Sequence, residues 1–148
     1  MGLIVVGIDA SDHARRALEW AFAEAELRGA ELELVHAYAR PEPIYYPGIM
    51  VTDLPSEAEL QAAARQVVED TVAKIVPRPD VPYTVTVQAG GPAGVLCGRA
   101  NDAELVVVGA RGLGGFRGLL LGSVSQQVVT HSPCPVVIIT PERRHTPE

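Results

Sequence analysis

Short apolar, β-branched runs alternate along this chain with segments whose apolar residues recur every three or four positions. Leu3 to Ile8 is the kind of continuous apolar run that a strand buried on both faces produces. Behind it, Ser11 or Asp12 is placed to cap a helix running to about Arg28, and Gly29 sits where a left-handed C-cap belongs. Leu32 to Tyr38 reads as a second strand. Ser56 can cap a second helix, in which Leu60, Ala64, Val67, Val68, Val72 and Ile75 keep helical spacing until Pro77 stops it. Tyr83 to Gln88 alternates as a third strand, and Pro92 opens a short helix to about Ala100. Leu105 to Val108, a helix from Ser123 and the run Val136 to Thr140 complete the series.

This alternation predicts a single-domain α/β fold: a five-stranded parallel sheet in the order 3-2-1-4-5, Rossmann-like, with helices on both faces. Residues 1–141 are assigned to that domain, and residues 142–148 to a disordered tail. In such a sheet ligands bind beyond the carboxyl ends of the strands, where the strand order reverses. Here those ends carry Gly7-Ile8-Asp9-Ala10-Ser11 and Gly109-Ala110-Arg111-Gly112. The stretch from Ala39 to Pro55 differs in kind. It holds Pro41, Pro43, Pro47, Pro55, Gly48 and the pair Tyr45-Tyr46, and shows no periodicity. It is expected to be structureless, either a lid or binding loop or a mobile surface excursion.

Composition narrows the classes. A chain of 148 residues, 47% hydrophobic and 20% charged, can bury about 70% of its unfolded surface as one domain. No apolar run approaches the roughly 18–20 residues of a membrane span, and Leu3–Val6 is too short for a leader core, so a cytoplasmic location is expected. A net charge of −6 argues against general nucleic-acid binding. Cys97 and Cys134 form neither a C-x-x-C motif nor a ligand set, and are expected to be reduced, partly buried thiols. The charge is unevenly spread: from Leu105 to Pro141 there is no Asp or Glu, while Arg111 and Arg117 fall inside that span.

The acid-free span contains Gly109-x2-Gly112-x9-Gly122-Ser123, set between a strand and a helix. Glycines let backbone approach a ligand closely, and first-turn N–H groups have no partner within the helix, so this arrangement suits phosphate. Three familiar loops are excluded. A Walker A loop needs a lysine, and Lys74 is the only one, in another helix. The first strand is not followed by G-x-G-x-x-G, and the acidic metal ligands of a kinase are missing. A grip must therefore rest on backbone N–H groups, Ser123 and an arginine. Four or five charge-assisted bonds of roughly 1.5–3 kcal/mol each, less ordering costs, support micromolar affinity, about −8 kcal/mol. Ser123 with Gln126 also reads as a capping box. Arg111 and Arg117 are either solvated loop charges or phosphate neighbours. His36 and His131 read as polar lining or helix-end residues, since nothing is spaced to complete a metal site with them.

The loop, its Val-rich strand, the opening Val5-Val6-Gly7-Ile8-Asp9-Ala10-Ser11, Leu34-Val35-His36-Ala37 and the closing Ser132-Pro133-Cys134-Pro135-Val136 together resemble the universal stress protein family. The likeness covers essentially the whole chain, and the complete loop is that of the family's ATP-binding branch. The resemblance implies ATP as ligand, with Mg²⁺ entering through its phosphates, and usually a homodimer. It implies that Asp9 meets the ribose and lies near the adenine, although a plain turn or cap acid would look the same. Ala37 would lie against the adenine ring, and Val108 and Gly109 beside the nucleoside. Gly112, Gly122, Ser123 and Val124 would form the phosphate cradle, with Arg111 near it.

Two functional classes stay open. One is an ATP-binding stress-response or regulatory protein in which occupancy changes conformation or assembly, with little or no hydrolysis and no catalytic residue of its own. The other is a slow ATPase or nucleotidyl-transferring enzyme completed by a partner. AMP or cyclic AMP stands beside ATP as ligand. Asp9 and Asp12 are a thin carboxylate set for phosphoryl transfer. The last strand, Val136 to Thr140, would lie at a sheet edge and pair with its two-fold mate.

Overall fold

Strand β1 (Leu3–Gly7) feeds helix α1 (Asp12–Arg28), which returns the chain to β2 (Glu31–Tyr38). Two three-residue strands follow, β3 (Ile44–Tyr46) and β4 (Ile49–Val51). Then come α2 (Glu57–Ala73), β5 (Tyr83–Ala89), α3 (Pro92–Arg99), β6 (Leu105–Gly109), α4 (Ser123–His131) and β7 (Val136–Ile139). The computed structural model describes residues 1–51, 53–112 and 121–142, so Arg117 and most of the expected tail (143–148) lie outside the described residues.

Helix boundaries follow from local chemistry. Ser11, not Asp12, caps α1: its hydroxyl oxygen accepts the Ala14 N–H, and Asp12 is the first helical residue. Gly29 ends the helix at φ 63°, a left-handed conformation a side chain would strain. Ser56 Oγ accepts the Glu59 N–H at the start of α2, and that helix ends at Ala73, ahead of Pro77. Pro92 occupies the first position of α3, where its missing N–H costs nothing.

The main sheet is parallel throughout, in the order β5-β2-β1-β6-β7. Counting only its own strands along the chain, this is the expected 3-2-1-4-5. Because successive side chains point to opposite faces, each central strand feeds two cores. Ile4, Val6, Leu32, Leu34 and Val107 pack against Leu18 and Phe22 of α1 and Val68 of α2. Val5, Val35, Val106 and Val108 pack against Leu96 of α3 and Val128 of α4. Fully burying a side chain such as Phe22 or Leu18 contributes about 1.5–3 kcal/mol. Glu33 is the charged exception on the second face. Its Oε1 accepts from Arg99 Nε at 2.5 Å and Thr86 Oγ1 at 3.0 Å, which offsets the cost of burying a carboxylate.

The stretch expected to lack structure forms an antiparallel hairpin, with Ile44 opposite Val51 and Tyr46 opposite Ile49. Its turn is Pro47-Gly48, in which Pro47 presets φ and Gly48 takes φ 84°. Tyr45 and Tyr46 are 74% and 72% exposed. Adjacent strand residues point to opposite faces, so each face of this ribbon carries an exposed tyrosine. A three-residue strand is too short for an alternation to read, which is why periodicity missed it. The last strand is one residue shorter than expected: Thr140 lies beyond β7.

Candidate functional site

The sheet reverses between β1 and β6, whose carboxyl ends lie side by side, with Val6 opposite Val107. The first wall is built by the turn after β1. Ala10 takes φ 68°, a left-handed conformation that costs a residue other than glycine about 1–2 kcal/mol. This turn brings Asp9 Oδ1 within reach of the Ser11 N–H at 3.0 Å and the Ser11 hydroxyl at 2.5 Å. The same hydroxyl oxygen caps α1, so the Asp9 carboxylate is anchored to a helix start. Its Oδ2 leans over Gly112, and a Cβ at Gly112 would overlap it. Asp9 thus spans the two arms of the site, 103 positions apart (112 − 9).

The second wall is the glycine loop, and its three glycines differ. A Cβ at Gly109 would come within 2.8 Å of His13 Cβ and 3.0 Å of the His13 carbonyl oxygen. That glycine lets the end of β6 press against α1. Gly112 makes room for Asp9. Gly122 has φ −76° and would place a Cβ no nearer than 3.5 Å to Arg111, Ala110 or Gly112, so none of the described residues around it requires a glycine. It faces the cavity between the two walls.

Gly122, not Ser123, is the N-cap of α4; Ser123 is the first helical residue, and the N-cap, a glycine, brings no side-chain cap bond. The capping box read from Ser123 and Gln126 is therefore not formed: the Gln126 N–H donates to the Gly122 carbonyl in the ordinary helical pattern. The first turn of α4 carries no acid, and first-turn N–H groups have no partner within their own helix, so their field favours an anion. Arg111 adds a second pointer. Its Nε is buried and has no hydrogen-bond partner among the described residues, where buried donors are ordinarily satisfied.

Between these walls lies a cavity of about 340 Å³. Every site residue expected from the sequence lines it within the described residues: Asp9, Ala37, Val108, Gly109, Arg111, Gly112, Gly122, Ser123 and Val124. Ile8, Val35, Ala37, Leu96 and Val108 supply apolar lining, and Asp9, Arg111 and the start of α4 supply polar groups. A mostly apolar lining with a few polar groups suits a small ligand that joins a flat ring to an anion. His36 joins the lining, its Nδ1 2.7 Å from the Ile8 carbonyl oxygen, which makes Nδ1 the protonated, donating nitrogen. His131 is in the last turn of α4, away from the cavity lining.

Ser125 was missed by sequence reasoning. It is 2% exposed and lines the cavity, and its hydroxyl is bonded to the Ala110 and Gly122 carbonyls. Its position in the first turn was legible, but its partner lies across the loop. Cys97 and Cys134 are free and half-buried, and burial pushes the Cys97 thiol up. Among the described residues no three His, Cys, Asp or Glu side chains gather into a metal-holding group, and no helix is long and apolar enough to cross a membrane.

A parallel sheet wound in this order, with a glycine-lined cavity at its reversal, defines a Rossmann-like α/β domain with an anion-suited cleft. The family model for the universal stress protein family matches residues 1–140, and the chain belongs to that family. A universal stress protein of Mycobacterium tuberculosis is 40% identical over 136 residues, covering 91% of this chain and 44% of the relative. This chain thus spans less than half the length of that relative. One from Thermus aquaticus is 39% identical over 138 residues, covering 92% of this chain and 96% of the relative. Among solved structures, a universal stress protein in complex with cAMP is 29% identical with a TM-score of 0.63, covering 94% of this chain and 96% of its own.

Proposed function

We propose that this chain is an adenine-nucleotide-binding regulatory protein that takes ATP in the cavity between β1 and β6. Occupancy alters its conformation or assembly, and hydrolysis is slow or absent. One observation carries this reading: Gly109, Gly112, Gly122 and Ser123 of the glycine motif line one cavity of about 340 Å³ at the sheet reversal together with Asp9, Ala37 and Val108. In it, the adenine lies against Ala37 and Val108, Asp9 meets the ribose, and the phosphates face Gly112, Gly122, Ser123, Val124 and Arg111. The buried Arg111 Nε, unpartnered among the described residues, and the cavity before Gly122 fit an anion there. Mg²⁺ enters with the phosphates.

Asp9 is the only carboxylate among the described lining residues, a thin set for phosphoryl transfer. Steady ATP turnover near ~1 s⁻¹ that vanishes in Asp9→Ala would replace the regulatory reading with an enzymatic one. The cAMP complex of a 29% identical relative supports a second ligand reading, a nucleotide with one phosphate. To test both, the protein is purified without added nucleotide and denatured, and any released small molecule is identified. Titration with Mg-ATP, AMP and cAMP follows. No released adenine nucleotide and no binding on titration would overturn the proposal.

We also assign a homodimer, paired through β7. That strand is a sheet edge, and its residues Val136, Val137, Ile138 and Ile139 are all only half-buried. Light scattering giving a stable monomer at micromolar concentration would refute the assignment.

A further inference from the structure

The glycine loop is drawn together at one carbonyl. Ala110, fully buried, is the residue after β6, and its oxygen accepts the Gly122 N–H at 2.7 Å. Ser125 Oγ lies 2.7 Å from the same oxygen and 3.0 Å from the Gly122 carbonyl oxygen. A hydroxyl has one proton to give, and the shorter contact is to Ala110. On its other side, the Ala110 N–H donates to the Ile139 carbonyl at 2.9 Å, which holds the residue in register with β7. One residue, Ala110, seated against the sheet by its N–H, therefore ties the end of β6 to the start of α4 through its carbonyl, and a buried side-chain hydroxyl braces it.

Resting on the nucleotide reading above, we infer that Ser125 is a positioning residue for the phosphate end of the ligand. It holds the start of α4 against the end of β6, where the Gly122 N–H is tied to Ala110, and so aims the following N–H groups of Ser123 and Val124 before a ligand arrives. Bracing a loop in advance lowers the ordering cost of binding. The benefit goes only to the part of the ligand the loop touches. The apolar lining from Ile8, Val35, Ala37 and Leu96 is built without Ser125.

The test titrates wild type, Ser125→Ala and Ser125→Thr with ATP, AMP and adenosine, and follows hydrogen exchange at the Gly122 amide. Loss of one buried hydrogen bond predicts that Ser125→Ala weakens AMP and ATP roughly tenfold. Adenosine should change less than about twofold, because it has no phosphate for the loop to hold. The Gly122 amide should exchange faster, and Ser125→Thr, which keeps the hydroxyl, should recover phosphate-dependent affinity. If wild type binds all three ligands and Ser125→Ala binds AMP unchanged, or loses AMP and adenosine equally, the positioning role is wrong while the nucleotide reading stands. If wild type binds none of them, the nucleotide reading falls first and takes this inference with it.

Discussion

Two long connections leave the carboxyl edge of the sheet, one after β6 and one after β2, and they are closed in opposite ways. The neck of the β6 connection is closed by the buried Ala110 carbonyl, which takes the Gly122 N–H and the Ser125 hydroxyl. The β2 connection is closed by exposed side chains. Glu57, at the start of α2, accepts from Tyr38 Oη at 2.5 Å and from Arg40 at 3.1 and 3.2 Å. Arg40 beside Glu57 holds that carboxyl below its usual range, and the carboxylate raises the Tyr38 phenol. Water competes for every bond in the second clasp and for almost none in the first. A buried neck can hold a loop to the tolerance a ligand needs, whereas an exposed one mainly limits how far a hairpin swings.

The comparison breaks most sharply at Gly122. Gly122→Glu puts a carboxylate where the phosphate belongs, at a position whose backbone needs no glycine. Affinity for adenine nucleotides should fall more than about a hundredfold in calorimetry, while the melting temperature of the free protein stays close to wild type. Unfolding of the variant would mean that Gly122 serves packing instead.

Arg111→Met comes next. Its guanidinium Nε lacks a partner among the described residues, so losing it should cost nucleotide binding roughly tenfold to a hundredfold with little change in stability. A drop in stability without a drop in affinity would make Arg111 a structural residue. Gly109→Ala should show the reverse pattern. The new methyl would press on His13, destabilising the fold by about 1–3 kcal/mol in chemical denaturation.

The smallest effect is expected at the other connection. Glu57→Gln should free the hairpin locally, seen as changed NMR shifts for Tyr38 and Arg40, with no measurable change in nucleotide affinity or global denaturation midpoint. Acid should mimic it. Because the folded Glu57 carboxyl titrates below its ordinary value, the clasp is fully formed above that value and is lost as pH falls through the lowered one. Shifts of Tyr38 and Arg40 that titrate near neutrality would assign the clasp to another group. If Glu57→Gln weakened nucleotide binding as strongly as Arg111→Met, the contrast between the two connections would collapse.

Much of this molecule is written in neighbouring residues. Helix starts at Ser11 and Ser56, the stop at Gly29 and the strand runs all depend on interactions within about four positions. The parallel order follows from alternation and crossover handedness. With that order known, Gly109-x2-Gly112-x9-Gly122-Ser123 had to fall at the sheet reversal, so the candidate cavity was legible from the chain alone. Legibility failed where the deciding partner was remote or absent. The hairpin's strands are three residues long and leave no periodic trace. The cap of α4 moved from Ser123 to Gly122 because the loop is drawn in by Ala110, 12 positions away (122 − 110).

The residue sequence by itself determined the element order, the winding of the sheet, the caps at Ser11, Gly29 and Ser56, and the place of the glycine loop, because these rest on periodicity and short-range bonds. Only the tertiary structure decided that Asp9 leans on Gly112, that Gly109 serves His13 while Gly122 meets no close neighbour among the described residues, that the Nε atom of Arg111 is buried without a partner among them, and that Ser125 closes the neck. Each of these is a contact between segments that meet only when the register of β1, β6 and β7 is set, and no local pattern encodes which atoms then face each other.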